Sequence, residues 1–447
     1  MAKDKVCKFG GTSLVNREQV EKVIDIIMAD DSRRFVVVSA PGKASSEDTK
    51  VTDLLIKAGE EYKKEKRFTS ANQVAERFRA ITPEHETIKS LSDDLEGRLR
   101  HTTSLNYADN VKAFGEYAMA KVFTSVLKEK GIDARFFDPK DIDFKLNKAG
   151  KDAMPDPKCY AEMGKKLGRF SGRVAVIPGF YAYAGDMLWT LPRGGSDTSG
   201  AAVARAVNAE AYENWSDIDG LTAANPKIVE NPKLISEITY REVRELAYLD
   251  FKLQLDSLVP LIGTGIPLRV LNTNNPKGEG TLVVENRIAF DGEIVGVAAR
   301  KGFIPINLYK MGMNSEKGFG KDVFDTLDEL DIPYEHSPSG IDDMSLIIDE
   351  KYLKKPGILN EFSRKLNDRR RPVSVTAGDP LAFLAVAGEG MRREPAIASI
   401  RAQNALAKEG IYGKVVDISA NHLSFFIGIK PERADDAVRA VYREFFG

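Results

Sequence analysis

The chain is poor in the residues that most often carry catalysis or metal. Among 447 residues there are four histidines, His85, His101, His336 and His422, and two cysteines, Cys7 and Cys159. The histidines are scattered, with no H-E-x-x-H pair and no Ser-His-Asp signature, so histidine-centred acid–base or zinc chemistry is not expected. The cysteines lie far apart and form no C-x-x-C, which argues for a reducing compartment and against a structural zinc. No apolar run approaches the ~20 residues of a membrane span. The start, MAKDKVCKFGG, lacks the pattern of a signal peptide, so a cytoplasmic location is expected. Charge of one sign is missing too: Lys plus Arg number 65 and Asp plus Glu 66, leaving neither a nucleic-acid-binding arm nor a basic membrane face. Two phosphate motifs are absent. Gly42-Lys43 resembles the end of a Walker A loop, but Val37 stands where its first glycine belongs and Ala44 follows the lysine. Gly263-Thr264-Gly265, Gly278-Glu279-Gly280 and Gly388-Glu389-Gly390 lack the third glycine of a dinucleotide site and read as turns.

What is present is a rhythm. The apolar fraction, 43%, is enough for two or three ordinary cores. Val6, Cys7 and Phe9 read as a short buried strand, followed by Gly10-Gly11 and then a helix over Asn16–Met28 with Val20, Val23, Ile24 and Ile27 on one face. Further strands are expected at 34–42 (RFVVVSAPG), 173–180, in 209–221 and at 266–273, with a small-residue helix at 197–209. Residues 56–105 read as a polar helical excursion. This alternation argues for an α/β sandwich around a largely parallel sheet. After Asp291 the order changes. GFGKDVFDTLDEL (318–330) is an amphipathic helix, Ile332 opens a strand and MSLIID (344–349) is another. LAFLAVAG (381–388), a helix at 395–410, Ile411, LSFFIGI (423–429) and a final helix repeat that order. Two small β-α-β-β-α-β units are expected; a single irregular α+β domain is the plainer alternative.

Glycine, basic and acidic residues meet in five loops. FGGTS carries Lys8. Residues 37–55 supply Ser39, Ala40, Gly42 and Thr52. AFGEYAMAKV (113–122) carries Glu116. PGFYAYAGDMLWTLPRGGSDTSGA (178–201) places Arg193-Gly194-Gly195-Ser196-Asp197 directly before a helix. NWSDIDGLTAANPK (214–227) is an acidic loop. Glycines that bring backbone N–H groups to a helix N-terminus suit an anion. Arg193 can hold a carboxylate with two parallel hydrogen bonds. On the same residues, Ser196 or Asp197 could be a simple N-cap and Arg193 a surface ion pair.

Taken together, in this order and spacing, KFGGTS, FGE, RGGSDTSG, W-S-D-x-x-G with N-P-K, and IPLRVLNTNNPKGEGTL resemble the aspartokinases, amino-acid kinases that phosphorylate the side-chain carboxylate of aspartate. The resemblance runs over nearly the whole chain. GFGKDVF, SGIDDMSLI and LAVAGEGM resemble the paired ACT modules, small effector-binding units, that many of them carry. The implied fold is a three-layer αβα amino-acid kinase sandwich over 1–290, then two ferredoxin-like βαββαβ ACT domains over 291–375 and 376–447.

The resemblance implies roles. Lys8, with Gly10 and Gly11, contacts ATP phosphates, and Asp197 orients Lys8. Ser39, Thr52, Glu116, Phe180, Arg193 and Ser196 form the aspartate pocket, with Glu116 taking the ammonium. Ser216, Asp217, Thr222, Lys227 and Lys252 lie on the nucleotide side. Magnesium accompanies ATP without a dedicated protein cage. Met313, Gly318, Phe319, Glu335 and Ser339 fall in the effector region, and Asp342 and Asp343 are further acceptors for a lysine ammonium or simply solvated acids. Lysine is the expected effector, threonine the alternative, and a homodimer or dimer of dimers through the ACT modules the expected assembly. The chain departs from the family at Thr222, Asn225 and Lys227, and DFKLQLDS around Lys252 keeps the lysine of G-A-K-V-L-H-P while losing its Gly, His and Pro. Another amino-acid kinase, or an amino-acid sensor with a degenerate kinase domain, are the competing readings.

Overall fold

The computed structural model describes residues 4–82, 84–150, 152–247, 255–287, 294–369 and 372–447. The chain divides into two compact units. One holds residues up to Leu221 together with Leu234–Val243 and Leu253–Ile288; the other holds Thr222–Lys233, Arg244–Lys252 and Ala289–Gly447.

The first unit is built on an eight-stranded sheet. Its strands lie in the order 134–136, 174–178, 33–38, 5–9, 212–216, 268–272, 281–284 and 237–239. All neighbours are parallel except the pair 268–272 and 281–284. The central strands are buried over nearly their whole length, as continuous Val/Ile/Phe runs in a covered parallel sheet should be. On one face Cys7, Phe9, Val36, Val38 and Trp215 pack with the apolar sides of the helices Arg17–Met28 and Phe114–Glu129. The first of these helices is capped by Asn16, whose side chain accepts from the Gln19 N–H. The helix Gly195–Ala206 bears on the opposite face, the side to which Lys8 and Asn214 point. The expected helical excursion resolves into Val51–Glu65, Thr69–Arg79 and His85–Arg100.

The second unit carries an antiparallel sheet in the order 343–349, 296–309, 381–387, 424–429 and 415–418, with 374–377 also pairing to 296–309. Helices Phe319–Glu329 and Ile358–Arg369 bury Phe319, Val323, Leu327, Phe362 and Leu366 against one half of it. Helices Pro395–Lys408 and Ala434–Phe446 cover the other half.

Two expectations are corrected here. The strand expected at Ile332 is not a strand: residues 332–342 form an irregular segment that touches 343–349 through isolated bridges at His336–Ile347 and Ser339–Met344. Pro333 and Pro338 remove two backbone donors from this stretch, and a ladder needs them. Second, IVGVAARKGFIPINLYKM, whose sequence suggests more than one strand, holds the single 14-residue strand Gly296–Tyr309. Its register shifts between Lys301 and Phe303, and the part before the shift pairs with 381–387 while the part after it pairs with 343–349 and 374–377. Each ACT-like half therefore takes one strand from the same continuous segment. The helix Ile358–Arg369 and the strand Ser374–Ala377 were not anticipated from the sequence.

Candidate active site

The chain runs from strand 5–9 to 33–38 on one side of the sheet and later returns to 212–216 on the other side. The strand order thus reverses between 5–9 and 212–216, and open α/β sheets bind ligands at the carboxyl ends of the strands flanking such a reversal. Lys8 and Asn214 are register partners across that pair.

Lys8 is only 8% exposed although it ends in an ammonium. Its charge is answered from the first turn of the helix Gly195–Ala206: Nζ lies 2.6 Å from Asp197 Oδ1. Nζ also lies 3.5 Å from Asn214 Oδ1, and Asn214 Nδ2 donates to Asp197 Oδ1 at 3.1 Å. Pairing makes a buried ammonium tolerable, and the third partner fixes where it points. Gly194, at φ 80°, turns the chain into that helix through a conformation that side chains resist.

The loop after Lys8 is held from both sides. Gly10 N–H donates to Trp215 O at 2.9 Å and Gly42 N–H to Gly11 O at 2.9 Å. A Cβ on Gly11 would lie 2.6 Å from Ala40 O and 2.9 Å from Gly42 N, so only glycine lets the two backbones touch. Behind the loop, Ser13 Oγ and Thr273 Oγ1 share a buried hydrogen bond of 2.7 Å.

Glu116, in the first turn of Phe114–Glu129, is buried. Burial pushes its pKa up to about 8, and the Ala40 backbone amide and the Lys8 charge only partly offset that. Its Oε2 has no hydrogen-bond partner. A second buried acid, Glu213, makes an instructive contrast. It accepts from Arg33 Nε at 2.9 Å, Trp215 Nε1 at 2.9 Å and Cys7 Sγ at 3.3 Å. Glu213 is a satisfied structural group, whereas Glu116 is a buried acceptor left open, the arrangement a cationic ligand would complete.

On the third side, Phe180 adopts φ 72° just past strand 174–178, and its N–H donates to Ser199 Oγ at 3.1 Å. Ser196 packs on Gly179, where a Cβ would come within 2.8 Å. Arg193 is exposed and makes no hydrogen bond or ion pair among the described residues, leaving its guanidinium for a ligand. Ser39 and Thr52 are half-buried, on the segment that follows strand 33–38.

An ammonium fixed by a carboxylate, a glycine loop and an open buried acid lie at the carboxyl ends of the central strands, and an unpartnered arginine stands just before the helix that supplies Asp197. Comparison with known proteins agrees with that geometry. The family model Amino acid kinase family matches residues 3–272, and the model ACT domain matches residues 384–445. Aspartokinase 3 of Bacillus subtilis is 37% identical over 452 residues, covering 99% of this chain and 98% of the relative. The chain belongs to the aspartokinases. Lysine-sensitive aspartokinase 3 of Escherichia coli is 27% identical over 341 residues, 73% of this chain and 74% of its own length. A crystal structure of an aspartate kinase from Clostridium acetobutylicum superposes with a TM-score of 0.85 at 31% identity, covering 99% of this chain and 100% of that one.

Of the residues expected on the nucleotide side, Gly10 and Gly11 adjoin Lys8 as described. Ser216 ends strand 212–216 half-buried, and Asp217 is exposed beyond it. Thr222 and Lys227 lie on 222–233, which groups with the second unit; Thr222 Oγ1 donates to Ala224 O at 2.7 Å and Lys227 is exposed. Lys252 lies outside the described residues. In the effector region, Met313 and Phe319 are core residues of their module, Gly318 caps the helix Phe319–Glu329 and Ser339 is exposed. Glu335 is half-buried, its pKa raised by burial and by the charge of Asp349. Asp342 accepts from the distant Gly312 N–H at 2.7 Å, and Asp343 closes a turn by accepting from Gly340 N–H at 3.1 Å. Sequence reasoning missed Asn214. The signal was available, since YENWS is a buried strand in which Asn214 points to the face opposite Glu213 and Trp215.

Proposed function

We propose that the chain transfers the γ-phosphoryl group of ATP to the side-chain carboxylate of L-aspartate, giving 4-phospho-L-aspartate and ADP. The observation that carries this reading is the Lys8–Asp197–Asn214 cluster beside the open Oε2 of Glu116. A carboxylate oxygen of aspartate attacks the γ-phosphorus and the bond to the β,γ-bridging oxygen breaks, so ADP leaves with that electron pair. The nucleophile is already ionised at neutral pH, and no strong base is needed. Positioning and charge neutralisation then supply the rate, which suits a histidine-poor site. Lys8, aimed by Asp197, meets the phosphoryl oxygens, and the Gly10-Gly11 loop brings backbone N–H groups beside it. Arg193 grips substrate carboxylate, with Ser39, Thr52, Ser196 and Phe180 shaping the pocket. Glu116 takes the α-ammonium, exchanging its proton for an ion pair. Ser216, Asp217, Thr222, Lys227 and Lys252 serve the nucleotide. Magnesium would enter with ATP and neutralise the charge of its phosphates.

The ACT modules carry feedback control. Lysine is the proposed effector, supported by the lysine-sensitive Escherichia coli relative, with Met313, Gly318, Phe319, Glu335 and Ser339 around it. We place the enzyme in the cytoplasm as a dimer through its ACT modules. No helix among the described residues is long and apolar enough to cross a membrane.

The test combines the purified protein with ATP, magnesium, L-aspartate and hydroxylamine, which traps an acyl phosphate as hydroxamate. Aspartate-dependent hydroxamate that is suppressed by millimolar lysine is expected. Hydroxamate with glutamate but not aspartate, or none at all with a folded protein, overturns the reading.

A further inference from the structure

The segment between strand 33–38 and helix Val51–Glu65 is open to solvent in its middle: Lys43 to Glu47, Thr49 and Lys50 are exposed. Yet its first residues form part of the site. Gly42 is bonded to Gly11 in the Lys8 loop, and Ala40 faces Glu116. Something must hold an exposed loop in that contact.

A single guanidinium does so. Arg77 Nη2 donates to Gly42 O at 2.6 Å, at the loop's beginning. Arg77 Nη1 donates to Asp48 Oδ1 at 2.6 Å and to Thr49 O at 3.2 Å, at its end. Asp48 in turn accepts from the N–H groups of Ala44 and Thr49, both at 2.8 Å. These bonds hold its pKa below the ordinary carboxylate value, with the Ala44 amide the largest cause and the Arg77 charge adding to it. The Arg77 side chain is 16% exposed. Its helix, Thr69–Arg79, is anchored by buried Val74 and Phe78 and tied to Val51–Glu65, because Glu61 accepts from the N–H groups of Thr69 and Ser70 at 3.1 and 3.0 Å. The path therefore closes: loop, helix 51–65, helix 69–79, Arg77, loop.

Resting on the reading above, we propose that Arg77, which touches neither reacting group, is a positioning residue for the aspartate side of the reaction. It clamps both ends of the 42–49 loop, so that Ser39 to Gly42 keep the backbone shape that meets Glu116 and the Lys8 loop. A planar fork with parallel donors suits this task, and an ammonium reaches only part of it.

The experiment compares wild type with Arg77→Ala, Arg77→Lys and Asp48→Asn in the hydroxamate assay, titrating aspartate and ATP separately. A small misplacement of a binding group costs a large factor, so Arg77→Ala should raise the KM for aspartate by about 10-fold or more. The kcat and the KM for ATP should stay within about three-fold of wild type. Arg77→Lys should recover part of the aspartate KM. Limited trypsin digestion read by mass spectrometry should show new termini at Ala44 and Val51 sooner in Arg77→Ala, with saturating aspartate slowing them. Asp48→Asn serves if Arg77→Ala fails to fold, and should move the same quantities in the same direction. An unchanged aspartate KM in a folded variant, or equal losses for ATP and aspartate, overturns the inference alone. Absence of hydroxamate from wild type overturns the kinase reading and the inference with it.

Discussion

The two units bury charge differently. Among the described residues the first unit buries Lys8, Glu116, Glu213 and Glu242, whereas the second buries Asp349 as its one charged side chain. The strands Leu381–Ala387 and Ser424–Ile429 are buried at every position and hold nothing ionisable. A buried charge costs several kcal/mol unless paired. A unit that keeps four has either satisfied them, as at Glu213, or uses them, as at Lys8 and Glu116. The one buried charge of the second unit, Asp349, is satisfied by Arg300 and Lys351. The comparison separates stability from chemistry, and substitutions can test it.

The largest expected effect is chemical. Lys8→Ala should reduce kcat for hydroxamate formation by about 10²–10³-fold, as removal of a group that stabilises developing charge does. Circular dichroism should still report the native fold. An active Lys8→Ala enzyme breaks the comparison at its centre. Leu384→Ala in the second sheet is the converse. Leu384 is fully buried in an apolar cluster, so the change should cost about 2–5 kcal/mol by urea denaturation. The turnover per folded enzyme without effector should stay within about two-fold. Loss of activity in a folded Leu384→Ala protein contradicts the division of labour.

Glu116→Gln sharpens the boundary between the two kinds of buried charge. The folded-state pKa, about 8, is above the ordinary 4.5. The stabilising contribution of the protonated group is therefore complete below pH 4.5 and lost as pH rises towards 8. Wild type should lose thermal stability relative to Glu116→Gln across that window, and saturating aspartate, which supplies an ammonium, should flatten the trend. A difference in Tm independent of pH contradicts it. The smallest effect is expected at His336, where Nδ1 lies 2.8 Å from Asp417 Oδ2 and the ring stacks on Phe383. Asp417 stays open to water, so replacing His336 with Ala should cost about 1 kcal/mol in stability, the net worth of a typical hydrogen bond, and leave basal turnover unchanged.

Much of the first unit could be read from the chain because its signals are local. Buried Val runs end in glycine loops, and RGGSD opens a helix. The joining of Lys8 to Asp197 could be stated only through the family resemblance, since no local pattern links residues on different elements. Asn214 was passed over because one polar residue in an apolar strand looks like noise until its register partner is known. Arg77 was invisible for the same reason, being a surface-type residue on a polar helix whose partners come from another loop. In the second unit the periodicity gave helix 318–330 and strand 344–349 closely, observed as Phe319–Glu329 and Asp343–Asp349. It overcalled a strand at Ile332, where apolar spacing was right and backbone donors were lacking.

The strand Gly296–Tyr309 also bears on modularity. The ACT match at 384–445 takes in strands 415–418 and 424–429 and part of 381–387, but the strand that completes that half comes from residues before Lys301. The second half is thus not a contiguous piece of gene. A cut near residue 375 would strip 381–387 of a neighbour and leave an open edge of unpaired amides and carbonyls. The first half, by contrast, sits as an insertion within the second. Exchange of regulatory specificity between relatives, by recombination or by design, has its natural crossover points near Gly302 and just after Ala377, and material moved between those two points carries a whole half with it.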